Sequence, residues 1–150
     1  MNILRLTLAL TLLVIAPRVD AAEMWLVIDG LTAPIGIADP NDGTGHLFIQ
    51  EQQGIIQVLM PSRAHGTPLL DLRAHLSELD AGFEERGLLG FVLYPNFAHN
   101  GRVYISYSTS LRPEAPMGWN YTRKISELTL ASGATTINPL TPKETTCKEP

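Results

Sequence analysis

The sequence predicts an all-β protein, and three observations support that prediction. Short apolar runs alternate with turn residues along most of the 150-residue chain, whereas the three-and-four spacing typical of amphipathic helices is nearly absent. The 12 glycines and 11 prolines supply many turn positions. Two similar segments also recur about 55 residues apart, which indicates a repeated β-sheet unit.

Seven candidate strands share one pattern, a short apolar run bounded by Gly, Pro, Asn or Asp. They are Trp25–Ile28, Ile35–Ala38, His46–Gln50, Ile55–Leu59, Leu88–Leu93, Arg102–Ser108 and Arg123–Leu130. The stretch Leu69–Leu79 is expected to be a connector, in which a strand end at Leu69–Leu72 is followed by one or two helical turns. Four residues would share one face of those turns. They are Leu72, His75, Leu76 and Leu79.

The two similar segments show the same features in the same order. In the first, Pro40-Asn41 and Gly45 precede an apolar strand, and in the second, Pro95-Asn96 and Gly101 do so. A strand, a proline turn and further strands, repeated at this distance, predict blades of a β-propeller, here about two four-stranded antiparallel blades. A jelly roll or a sandwich is the alternative. Three aromatic residues are expected to pack between blades. They are Phe48, Tyr104 and Tyr107.

Residues 1–22 have the features of a secretory signal peptide. Arg5 precedes the apolar run Leu6–Ala16, and the small residues Ala21 and Ala22 suit a cleavage site. The run is shorter than the roughly 20 residues of a membrane-spanning helix. We therefore expect a mature chain of residues 23–150 that starts near Glu23, is secreted or periplasmic, and has no membrane span after cleavage.

Charge and cysteine content narrow the possible partners. The 11 basic residues against 15 acidic ones give a net charge of −4, without the basic patch that a nucleic-acid partner requires. The single cysteine, Cys147, cannot form an intramolecular disulfide and is a poor basis for a zinc site. The oligomeric state is left open.

The stretch Glu85–Phe97, with its Gly-Leu-Leu-Gly followed by a short apolar strand and a Pro-Asn-Phe turn, resembles the glucose/sorbosone dehydrogenase family. Asn100–Tyr107, Gly30–Pro34 and the hairpin Glu51–Ile56 extend the resemblance, which runs from about residue 30 to 130. The family implies a six-bladed β-propeller that oxidises sugars with pyrroloquinoline quinone (PQQ) and calcium. The sequence departs from the family in the turn, where Tyr94 replaces a common His and Asn96 a common Asp.

The resemblance also implies a site. In such enzymes PQQ lies near the propeller axis, a His takes the sugar hydroxyl proton, and a hydride passes to the quinone. A family Gln that reaches the substrate corresponds to Glu85, which is followed by Arg86. We predict that Glu85 accepts sugar hydroxyls and that Arg86 contacts a quinone carboxylate. The alternative is a solvated loop in which these charges and those of Asp80 and Glu84 partly cancel.

No catalytic residue or metal ligand is assigned, because the four histidines lie scattered in turns and a connector without a carboxylate partner at fixed spacing. They are His46, His65, His75 and His99. The resemblance places the family's base, cofactor contacts and calcium ligands further along the sequence. We therefore expect about two blades of six in a truncated product, with no PQQ or calcium binding and no activity alone. The alternative function is a non-catalytic propeller fragment or carbohydrate-binding module.

Overall fold

The computed structural model describes residues 22–82, 84–139 and 143–145. The strands form two four-stranded antiparallel sheets, each a meander of consecutive strands. They are β1 (Pro34–Ala38), β2 (Leu47–Glu51), β3 (Ile55–Leu59), β4 (Leu70–Asp71), β5 (Leu88–Leu93), β6 (Arg102–Thr109), β7 (Thr122–Thr129) and β8 (Lys143–Thr145). The prediction of a partial β-propeller is confirmed, with β1–β4 as blade 1 and β5–β8 as blade 2. The predicted signal peptide falls outside the described residues except for Ala22, and Cys147 also lies outside them.

Six of the seven predicted strands are confirmed, with bounds that shift by one residue at most. The seventh prediction, Trp25–Ile28, is wrong, because this segment lies outside the strands and Trp25 is 75% exposed. Apolar composition favours a strand only where a neighbouring strand supplies backbone hydrogen bonds. Among the described residues, no strand pairs with this segment.

The connector between the sheets is confirmed in outline. The predicted strand end, Leu69–Leu72, is the two-residue strand β4, and the helical part is one 3-10 turn at Arg73–His75. Leu72 is buried and Leu76 packs against the core, as the predicted shared face requires. Two elements were not predicted from the sequence. They are β8 and a short helix, α1 (Phe97–Asn100), which is followed by Gly101 with φ of 61°.

The two blades repeat the same register irregularity. The bulge in β1 lies between Pro34 and Gly36, and the bulge in β5 lies between Leu88 and Gly90. A bulge inserts a residue and changes the local twist of a strand, so a shared bulge position is a specific structural match. The repeat inferred from the proline turns is therefore a repeat of the hydrogen-bonding pattern as well.

The two sheets pack face to face around one apolar core. The ring of Phe48 contacts Phe91 and Phe97 edge to face, with centroid distances of 6.1 and 5.8 Å. The predicted packing of Phe48 and Tyr107 between the sheets is confirmed, whereas Tyr104 lies outside this core. The buried core residues are Phe48, Ile56, Val58, Leu69, Leu70, Leu72, Leu88, Phe97, Val103, Ile105, Tyr107, Leu128 and Ile137.

Hydrogen bonds also join the blades at the start of β5. The buried Gln50 Nε2 donates to the Leu88 carbonyl at 2.7 Å, and the Leu88 N–H donates to the Gln52 carbonyl at 2.8 Å. A Cβ on Gly87, where φ is 122°, would lie 2.3 Å from that Gln52 carbonyl oxygen. Only glycine fits this approach, so the sequence of the junction determines how the chain enters β5.

Candidate functional site

Two loops of blade 2 lie at the same end of the sheet. β5 starts at Leu88, which pairs with Tyr107 near the end of β6. Thr109, the last residue of β6, pairs with Thr122, the first residue of β7. The segment that enters β5 and the β6–β7 loop (residues 110–121) are therefore neighbours, which sequence analysis did not foresee.

The segment that enters β5 contains an ion-pair cluster centred on Arg86. Its Nε donates to both carboxylate oxygens of Glu84, at 2.9 and 3.0 Å. Its Nη2 donates to Glu84 at 2.6 Å and to Asp80 at 2.8 Å. The side chains of Arg86 and Glu84 are only 15% and 11% exposed. The geometry is forked, which is the strongest form of the Arg–carboxylate interaction.

Glu84 is the acceptor that organises this segment. Besides Arg86, the backbone N–H groups of Asp80 and Arg86 donate to its carboxylate, at 2.8 and 2.7 Å. The Arg86 side chain and, next, the Asp80 N–H lower the pKa of Glu84 from the ordinary 4.5 to about 2. Glu84 in turn raises the pKa of Arg86. Both groups are therefore charged at neutral pH and hold the loop in one conformation.

Gln52 connects this segment to blade 1. Its Nε2 donates to the carbonyls of Glu84 and Arg86, at 2.7 and 2.9 Å. One amide therefore satisfies two backbone acceptors that flank Glu85. This role could not be predicted from the sequence, because nothing local in the β2–β3 turn indicates a contact more than 30 residues away.

Glu85 is exposed and lines an open depression of about 280 Å³ between the two loops. The lining residues are Asp80, Glu84, Glu85, Arg86, Asn120 and Tyr121. The structure thus brings the predicted residues Glu85 and Arg86 to one surface. It also brings Asn120 and Tyr121 there, which the sequence analysis had not assigned to the site.

The histidines do not converge on this depression. His65 Nε2 lies 2.9 Å from the Asp29 carbonyl oxygen on an exposed surface. His75 ends the 3-10 turn, His99 lies within α1, and His46 directly precedes β2. Within residues 22–82 and 84–139, no group of three His, Cys, Asp or Glu side chains could hold a metal ion. The same part of the chain contains no helix long and apolar enough to cross a membrane.

Sugar dehydrogenases are among the solved structures that share this fold. A glucose dehydrogenase superposes with a TM-score of 0.56 and 21% identity over 77% of this chain and 32% of its own. The PQQ-bound aldose sugar dehydrogenase of Streptomyces coelicolor superposes with a TM-score of 0.56 and 20% identity, over 79% of this chain and 31% of its own. The apo-form of the soluble Escherichia coli aldose sugar dehydrogenase superposes with a TM-score of 0.55 and 20% identity, over 80% of this chain and 31% of its own. The chain therefore has the fold of part of a β-propeller.

Curated relatives show a second similarity. The Hedgehog-interacting proteins of Homo sapiens and Mus musculus are 36% and 35% identical over 85 residues. These residues are 56% of this chain and 12% of each relative, so the match covers about an eighth of their length. This chain covers about a third of the length of the solved dehydrogenases. No protein-family model matches the chain.

The lining of this depression does not fit PQQ. Three carboxylates, those of Asp80, Glu84 and Glu85, line the depression beside one guanidinium. The Nε and Nη2 of that guanidinium already donate to Glu84 and Asp80. A quinone carboxylate placed there would meet like charges, which disfavours its binding. Glu85 is therefore the predicted site residue whose placement suits a neutral, hydroxyl-bearing ligand.

Proposed function

We propose that the chain is part of an exported PQQ-dependent sugar (aldose) dehydrogenase, which oxidises a sugar hydroxyl by hydride transfer to the quinone. The observation that carries the proposal is the fold shared with glucose and aldose sugar dehydrogenases over 77% to 80% of the chain. The Gly-Leu-Leu-Gly stretch supports it, since this stretch leads into β5 two residues after Glu85. Export is supported by the leader-like residues 1–22.

Under this proposal, the described residues orient the sugar. The exposed Glu85 carboxylate accepts hydrogen bonds from sugar hydroxyls. The Glu84–Arg86–Asp80 ion pairs and the Gln52 amide hold the backbone on both sides of Glu85. Preorganisation of this kind lowers the entropy cost of positioning a substrate. No role in holding the quinone or calcium is assigned to these residues.

A chimaera tests the proposal. Residues 23–139 would replace the corresponding part of the Escherichia coli aldose sugar dehydrogenase, and the protein would be loaded with PQQ and calcium. We expect sugar-dependent dye reduction, with kcat/KM about tenfold lower for Glu85→Ala. Glu23→Ala, an exposed carboxylate before β1, is the matched control and should leave kcat/KM unchanged.

Two results would contradict the proposal. One is a folded, PQQ-loaded chimaera that reduces no dye with any aldose. The other, turnover that Glu85→Ala does not alter, would contradict the substrate-orienting role of Glu85. Export has its own test, in which mass spectrometry of secreted material should find a start at Ala22 or Glu23, and a retained Met1 would exclude cleavage.

A second candidate is a non-catalytic propeller segment that binds a protein. The 36% identity to the human Hedgehog-interacting protein favours it, because that identity exceeds the 20% to 21% to the dehydrogenases. Binding of a purified Hedgehog protein to the immobilised chain, measured by interferometry, tests this candidate. Saturable binding together with an inactive chimaera would favour it over the enzyme.

A further inference from the structure

Each sheet has an outer face that points away from the core between the blades. In blade 1, Ile37 pairs with Ile49 on this side of the sheet, and we call these residues the blade 1 outer face. In blade 2, Val92, Tyr104 and Glu127 lie side by side, and we call them the blade 2 outer face. Successive residues of a strand point to opposite faces, so both sets lie opposite the core residues beside them in their strands.

Both outer faces expose apolar surface. Ile37 is 67% exposed and Val92 is 62% exposed, although each lies within a strand. Transfer of apolar side chains from water to an apolar contact is favourable. Exposed apolar surface on a sheet, with polar groups beside it, is typical of an interaction site. The two faces lie on opposite sides of the pair of sheets, so a partner at one face leaves the other face open.

The polar part of the blade 2 outer face is compatible with burial. Arg102 donates to Glu127 at 2.6 Å, and its guanidinium lies 4.4 Å from the Tyr94 ring centroid. Both charges are therefore already paired, and ionic groups that keep their partners avoid the large cost of an isolated buried charge. Tyrosine and arginine are also enriched in protein–protein interfaces.

The joint between blade 1 and blade 2 shows how the outer faces fit each other. Within the chain, the Phe48 ring of blade 1 contacts the Phe91 ring of blade 2. Tyr104 has the register position of Phe48, and Ile37 has the register position of Phe91. A second copy that packs as blade 2 packs on blade 1 therefore brings its Ile37 against Tyr104 of the first copy.

We propose that three copies of this chain associate head to tail into a closed ring, with the blade 2 outer face of each copy on the blade 1 outer face of the next. A head-to-tail contact uses two different faces and forms a ring where its rotation closes. Blades of a propeller are arranged radially, so each joint turns the chain in the same direction. One copy spans 30% to 32% of the solved dehydrogenases, so three copies approach the length of one.

Light scattering at several chain concentrations tests the proposal. We expect monomers at about 1 µM and trimers at about 100 µM, because three modest joints form together. The full chain is compared with the form that starts at Glu23, so that association through the leader is recognised. Monomers of both forms at the higher concentration would overturn the proposal. A dimer or an open series of larger oligomers would overturn it as well.

Variants show whether the outer faces cause the association. Ile37→Glu and Val92→Glu each place an unpaired charge in the proposed joint, so each should raise the concentration of half-assembly about tenfold or more. Met117→Glu is the matched control, because Met117 is fully exposed in the β6–β7 loop, and it should assemble like wild type. Ile37→Thr keeps the branched β-carbon that suits a strand and should weaken assembly less. Circular dichroism would verify the β-sheet content.

Cross-linking identifies which faces meet. In a Cys147→Ser chain, Ile37→Cys and Tyr104→Cys together should give covalent trimers with a short bismaleimide. Neither cysteine alone should cross-link. Cross-linking through Tyr104→Cys alone would mean that two identical faces meet, which contradicts the head-to-tail ring.

This inference goes beyond the proposed function, because the ring requires neither a quinone nor a sugar. Trimers of the chain together with an inactive chimaera would support the ring and contradict the dehydrogenase. Monomers together with an active chimaera would overturn the ring and leave the dehydrogenase standing. Trimers that persist in both Ile37→Glu and Val92→Glu would also overturn the proposal, because the association would then use another surface.

Discussion

Blade 1 and blade 2 share one hydrogen-bonding register but differ at matching positions. Ala38 pairs with Phe48 in blade 1, and Val92 pairs with Tyr104 in blade 2. Phe48 is 5% exposed and packs between the sheets. Tyr104 instead donates its hydroxyl to a Glu127 carboxylate oxygen at 2.8 Å. The same strand position therefore has an apolar environment in one blade and a charged one in the other.

The surroundings of the two positions explain this difference. Arg102 donates to Tyr104 and to Glu127, at 2.8 and 2.6 Å, and its guanidinium lies 4.4 Å from the Tyr94 ring centroid. Arg102 and Glu127 are 34% and 17% exposed, so water still solvates this cluster. The comparison teaches that register determines which residues share a face, whereas the neighbouring sheet determines which chemistry that face tolerates.

The largest effect should come from truncating the buried member of the matched pair. Phe48→Ala removes two edge-to-face contacts and leaves a cavity between the blades, so we expect a loss of about 3–5 kcal/mol in unfolding free energy. Tyr104→Ala, at the matching position, should cost clearly less, because the Tyr104 side chain is partly exposed. Urea denaturation monitored by circular dichroism measures both. Equal losses would show that the two faces are buried alike.

Glycine substitutions should separate the blade junction from the exposed loop. Gly87→Ala places a Cβ 2.3 Å from the Gln52 carbonyl oxygen, whereas Gly82→Ala meets nothing within 4 Å. Both residues have positive φ, at 122° and 112°, so the backbone strain is shared. We expect Gly87→Ala to lose about 2 kcal/mol more than Gly82→Ala in thermal unfolding. Similar melting temperatures would mean that the junction relaxes freely.

Acid should weaken the Glu84 cluster in a defined pH window. Arg86 holds the pKa of Glu84 at about 2, below its ordinary 4.5. A lowered carboxyl pKa contributes stability above the unfolded-state value, and that stability is lost as the pH falls from about 4.5 towards 2. Glu84→Gln should therefore be less stable than wild type at pH 7, with a difference that narrows across this window. A pH-independent difference in urea midpoints would contradict the expectation.

The smallest effect should come from the exposed ion pair of blade 1. Arg73 and Asp71 lie 2.6 Å apart, but their side chains are 60% and 47% exposed. Solvent screens such pairs, so Arg73→Ala should change the unfolding free energy only slightly. Arg86→Ala, which disrupts the less exposed cluster of blade 2, should cost more in the same urea experiment. A reversed order would mean that the exposed pair is the stronger one.

Much of the local structure could be predicted from the sequence. The glycines near each proline turn illustrate why. Gly45 and Gly101 occupy matching positions in the repeat, and both have a left-handed φ, of 71° and 61° respectively. The turn before β3 likewise uses Gly54, where φ is 104°. Such signals are local, because backbone sterics allow few residues at positive φ.

The site was predictable only in part. Glu85 and Arg86 were identified by resemblance, but the occupation of Arg86 by Glu84 and Asp80 depends on loop geometry that residue spacing does not specify. Asn120, which lines the same depression, lies more than 30 residues from Glu85 in sequence. Nothing in the local pattern indicates that the β6–β7 loop and the entry to β5 meet.

The sequence by itself determined the strands, the turns and the repeat, because period-two apolar patterning and glycine conformations act over a few neighbouring residues. Tertiary structure alone decided that Trp25–Ile28 forms no strand, that Gln52 binds the loop before β5, and that Tyr104 lies outside the core. These outcomes depend on which surfaces and hydrogen-bonding groups meet after folding. Such long-range partners are absent from any local stretch of sequence.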